Sequence, residues 1–125
     1  MLIRSQDKTA LVKFENIVVN LKLPDSLNVI CWSLQDAQRN GGYLILGKYS
    51  TKAKAMKVLD MIQKAYADFE SAKITSTGLV TVVYTGSYDT PDSVVDCKIK
   101  ALKDYVKMIR ESVIFQMPED RSVEV

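Results

Sequence analysis

The chain has 125 residues, 47% hydrophobic and 26% charged, which is the profile of one folded domain with a single core and excludes a disordered chain. Seventeen basic against fifteen acidic side chains leave a net charge of +2, too small for a whole-molecule field that would recruit nucleic acid or a membrane surface. With no histidine and only two cysteines, the commonest general base, the Ser-His and Cys-His pairs and a cysteine-histidine metal site are all excluded.

The first seven residues, Met1 to Asp7, carry charges and no apolar run of the kind a signal peptide needs. No stretch approaches the roughly 20 apolar residues that cross a bilayer, so a cytoplasmic location is expected, with Cys31 and Cys97 as buried thiols.

In chain order, Leu2 to Gln6 and Thr9 to Phe14 read as two strands joined by a turn at Asp7-Lys8. Ile17, Val19, Leu21 and Leu23 alternate with Val18, Asn20 and Lys22, a period of two that predicts a third strand ending at Pro24-Asp25-Ser26. Leu27 to Leu34 and Tyr43 to Tyr49 make a further pair around a polar loop. Residues 1–49 are therefore expected to form one antiparallel sheet of about five strands.

The period changes at Ser50, a candidate N-cap, where Ala55, Leu59, Ile62, Tyr66 and Phe69 predict a first helix over 50–70 that covers the sheet. Thr75-Ser76-Thr77-Gly78 breaks that pattern, and Leu79 to Tyr84 is β-prone, so a strand or arm is expected over 79–89. Thr90-Pro91-Asp92 opens a second helix over 90–111, with Val95, Ile99, Leu102, Val106 and Ile109 as a heptad-like stripe that can pack on the first helix or on another subunit. A last strand over 112–118 and a loose tail over 119–125 complete a single α+β domain.

Candidate chemistry is sparse. Glu15, Asp25, Asp36, Asp60, Asp68 and Asp104 fall in turns or on helix faces with nothing to mark a converging acid-base pair, so no catalytic residue, metal or cofactor is assigned. Gly42 to Lys48 matches the start of a P-loop, but Tyr49 stands where Ser or Thr must hold magnesium, and Tyr-Leu-Ile-Leu is a strand and not a flexible cradle. Lys48, Lys52, Lys54, Lys57 and Lys64 crowd the positive end of the first helix, which either is a solvated lysine face or marks an anion site at Ser50, Thr51 and Lys57. Around the second helix, Tyr84, Tyr88, Asp89, Arg110, Phe115, Gln116 and Met117 together offer stacking rings, a guanidinium fork and acceptors, the groups that a nucleotide-like ligand needs. The plainer alternative makes Phe115 and Met117 core and the tyrosines surface.

The segments Met1 to Asp7, Leu46-Gly47-Lys48-Tyr49-Ser50-Thr51 running into Ala55 to Tyr66, and Val113 to Pro118 resemble a family of small proteins from phages and prophages of Gram-positive bacteria. Size and element order are similar to the Thoeris anti-defence sponges, which sequester cyclic ADP-ribose signals without cleaving them. The resemblance covers both ends and the first helix but not 73–111, so no family site residue is carried over. It implies a non-catalytic, phage-encoded binding protein that traps a cyclic nucleotide-type signal in the host cytoplasm, and the heptad-like stripe on so short a chain predicts a homodimer or higher oligomer. The alternative is a phage-encoded inhibitor that binds a host protein, or an interaction module.

Overall fold

The computed structural model describes residues 1–35, 42–84 and 92–125, with side chains described outside 76–84 and 92–94. The architecture is α+β, with β1 (Leu2–Arg4), β2 (Leu11–Lys13), β3 (Ile17–Leu21), β4 (Asn28–Ser33), β5 (Leu44–Lys48), α1 (Lys52–Tyr84), α2 (Asp92–Ser112) and β6 (Ile114–Gln116). The opening hairpin and the three following strands form within the segments expected for them. They do not make one sheet.

β1 pairs antiparallel with β2 and parallel with β6, while β3, β4 and β5 form a separate antiparallel sheet. The division falls at Phe14–Asn16, a 3-10 turn that ends β2 and turns the chain before β3 can join it. β6, contributed by the far end of the chain, then takes the open edge of β1, with Ile3 between Val12 and Phe115. A parallel partner distant in sequence leaves no local trace, so strand propensity alone could not assign it.

The chain divides into two compact units, one of Met1–Ala65 with Ile114–Val125, the other of Tyr66–Val113. In the first, Ile3, Val29, Leu46, Val58 and Met117 are all but inaccessible, each worth about 1.5–3 kcal/mol of apolar burial. Ala55, Val58 and Ile62, at steps of three and four, put one face of α1 into this core, a register that includes Val58 and leaves the expected Leu59 half-buried.

α1 also runs past its expected end. Residues 79–84, expected as a strand or arm, are helical, as is the Thr75–Gly78 stretch. Thr75 Oγ1 donates to the Ser71 carbonyl one turn back at 2.9 Å, so its hydroxyl is satisfied within the helix instead of breaking it. A short β-branched run is compatible with either state once the helix is already propagating. Residues 85–91, including the expected cap Thr90-Pro91, lie outside the described residues.

The C-terminal residues are not a loose tail. Met117 N donates to the Arg4 carbonyl at 3.0 Å, Asp120–Ser122 form a 3-10 turn, and Val123 is buried. Both cysteines are free thiols, but only Cys31 is buried, where desolvation raises its pKa; Cys97 is exposed on α2, contrary to expectation.

Candidate functional site

The lysine-rich start of α1 does hold an anion, and the chain itself supplies it. Asp120 Oδ1 accepts from the Ser50 amide at 2.7 Å and the Ser50 hydroxyl at 3.0 Å, while Lys54 Nζ reaches Asp120 Oδ2 at 3.3 Å and its carbonyl at 2.8 Å. A carboxylate at the positive end of a long helix next to an ammonium satisfies both the dipole and the lysine. The capping hydroxyl is that of Thr51, which accepts from Lys54 N at 3.2 Å, while Ser50 binds Asp120 and does not itself cap. Lys57 stands apart on the outward face of α1, beside Met56, Asp60 and Met61 in a shallow depression.

Bonding from the Ser50 amide, then from the Ser50 hydroxyl and Lys54, holds the Asp120 carboxyl below its ordinary value of 3.8. A depressed folded-state pKa contributes stability that is present above the unfolded value and is lost as pH falls through the folded one. Asp120→Asn is expected to melt a few degrees lower near neutrality and to lose less than the parent on acidification below pH 3.8. Parallel thermal scans across that range check it.

The residues expected to gather around a nucleotide-like ligand are taken one unit at a time. Tyr84 is the last residue of α1, with its side chain outside the description, and Tyr88 and Asp89 lie outside the described residues. Arg110 is exposed in the last turn of α2, beside Leu102, Lys103, Val106 and Lys107, which line a depression of about 380 Å³ in the second unit. Phe115, Gln116 and Met117 belong to the first unit. Met117 is 1% exposed, hence core, and the Gln116 amide donates to the Ser5 and Met117 carbonyls at 3.1 and 3.0 Å, which ties β6 to β1. Phe115, half-buried, sits in register with Ile3. The apolar alternative therefore holds for Met117, and a structural role for Gln116.

Sequence reasoning passed over Gln6, Tyr43 and the role of Tyr49. A groove of about 690 Å³ runs along β5 and is bounded by Gln6, Asp7, Tyr43, Leu44 and Lys48. Lys22 Nζ stands 4.9 Å from the centre of the exposed Tyr43 ring, a cation–π contact. Gln6 pairs with β5: its amide nitrogen donates to the Leu46 carbonyl at 2.7 Å, its Oε1 accepts from Lys48 N at 3.0 Å, and its Nε2 donates to the Lys48 carbonyl at 3.3 Å. Gly47 is set by close approach, since a Cβ there would lie 2.8 Å from the Tyr49 hydroxyl. That hydroxyl donates to the Pro118 carbonyl at 3.0 Å.

The P-loop-like segment is a strand, as its residue types require. Among the described residues, no cluster of His, Cys, Asp or Glu could hold a metal, and no helix is long and apolar enough to cross a membrane. Comparison with protein-family models, with curated proteins and with solved structures finds no match to this chain.

Proposed function

We propose that this chain is a non-catalytic binding protein, a phage anti-defence sponge that sequesters a cyclic ADP-ribose-type or other cyclic nucleotide signal in the host cytoplasm. The observation that carries the reading is the stripe on α2, where Val95, Ile99 and Val106 are each about 40% exposed and Arg110 follows on the next turn. A second copy laid on that stripe buries its β-branched side chains and carries Arg110 to a subunit boundary. A guanidinium at such a boundary, with its planar fork, suits a phosphate of a ligand held between copies. Trapping needs no chemistry, because free signal falls by mass action as long as sites outnumber it.

A thermal-shift panel of cyclic ADP-ribose isomers and cyclic oligonucleotides tests this, since ligand at 100 times its dissociation constant adds ~2.7 kcal/mol. Arg110→Ala is expected to melt like the parent, to bind at least tenfold more weakly and to lose salt sensitivity, with no rescue by Arg110→Lys. Light scattering at micromolar concentration should exceed the 14.0 kDa of one chain. A monomer, or no shift with any ligand, refutes the sponge. The same exposed stripe favours the second reading, an inhibitor that binds a host protein, in which case a host protein is captured and no nucleotide is released intact on heating.

A further inference from the structure

We infer that the depression on α2 walled by Lys103, Lys107 and Arg110 is a diphosphate site, which selects a ligand with two adjacent phosphates over one whose phosphates are set apart. This deepens the reading above and rests on the phosphate role given there to Arg110. The three cations follow at steps of four and three, so one helix face carries them all within about two turns. Like charges at those steps repel each other and weaken a helix that has nothing to neutralise them. Attraction to the carboxyl end of the helix accounts for Arg110, the basic residue of the last turn, but does not reach as far back as Lys103 and Lys107.

The chain's own acids leave the group largely unneutralised. Among the described residues, Lys103 and Arg110 form no ion pair, and Lys107 Nζ stands 4.0 Å from Glu111 Oε1, with both side chains exposed to water. Asp104 is exposed, lies outside the lining and pairs with neither lysine. The floor is apolar, with Leu102 half-buried and Val106 40% exposed, and it suits the carbon frame that carries the phosphates. Lys103 and Arg110 flank the stripe of Val95, Ile99 and Val106, so a second copy seated on that stripe leaves them at its border. Two phosphates that share a bridging oxygen bring both charges to this one face, where the Arg110 fork takes two oxygens and the lysines act as point charges. Phosphates on opposite sides of a cyclic oligonucleotide reach it one at a time. Of the two ligand classes proposed, the cyclic ADP-ribose type has the adjacent pair.

The probes are ADP and adenosine 3′,5′-bisphosphate, titrated at low salt into ¹⁵N-labelled full-length protein. ADP is expected to shift the amides over 102–110 saturably and to bind about tenfold more tightly than the bisphosphate, although the bisphosphate carries more charge. Lys103→Gln, at an exposed position, should melt like the parent and lose about tenfold in ADP affinity. Bisphosphate that binds as tightly as ADP, no saturable shift over 102–110 by about 5 mM ADP, or ADP binding unchanged in Lys103→Gln overturns the inference. The two readings fail separately. If ADP binds as expected and no cyclic nucleotide does, the sponge fails and the diphosphate site stands; a cyclic ligand whose binding Lys103→Gln leaves untouched reverses that outcome.

Discussion

Met117→Ala is expected to lower stability by about 2–5 kcal/mol, the cost of emptying a fully packed site that the surroundings refill only in part. Met117 is 1% exposed and sits directly after β6, whose register on β1 its own amide extends by bonding to Arg4. Against a total of ~5–15 kcal/mol for a domain, this is a large share, on the order of 10 °C in melting temperature. Chemical and thermal denaturation of the variant check the size. The same measurement separates two roles, since a ligand-contacting methionine would leave the unligated protein unchanged and reduce only the shift caused by ligand. A variant as stable as the parent would take Met117 out of the core.

The second large effect is alkaline. Tyr49 is buried at 4% exposure, and that burial, with the Asp120 charge behind it, pushes its phenol from an ordinary 10.0 up to about 12. The folded state therefore holds the phenol proton after an unfolded chain has released it. The resulting stability is complete below pH 10 and is lost as pH rises from 10 to 12, by about 2–3 kcal/mol. Tyr49→Phe should cost only about 0.5–1.5 kcal/mol near neutrality, because the Pro118 carbonyl keeps the Gln6 Nε2 donor at 3.0 Å. It should also remove this part of the alkaline loss, so that parent and variant converge between pH 10 and 12. Denaturant titrations at pH 8 and pH 11 read both quantities; curves that stay parallel would place the Tyr49 hydroxyl in solvent.

How the two ends of the chain meet accounts for much of what the sequence hides. Ser50 and its neighbouring lysines leave two readings open, a solvated lysine face or an anion at a helix start, and charge alone does not choose between them. The anion is Asp120, which lies seventy positions away in a segment that reads as a polar tail. Gln6 is equally mute: a glutamine after a strand gives no sign that its amide will pair with Lys48 across the fold.

Local order was decided by local chemistry. Alternation located β3, the β-prone runs on either side of a polar loop located β4 and β5, the turn residues at Asp7-Lys8 located the hairpin, and apolar spacing located the first part of α1, because each signal arises between residues a few positions apart. Only the tertiary structure decided that the strands divide into two sheets, that β6 lies parallel beside β1, and that α1 continues through Thr75–Gly78 to Tyr84. The physical reason is shared. A 3-10 turn at Phe14–Asn16, a free edge on β1 and a helix already propagating each set the energy of a segment through partners that its own residues do not encode.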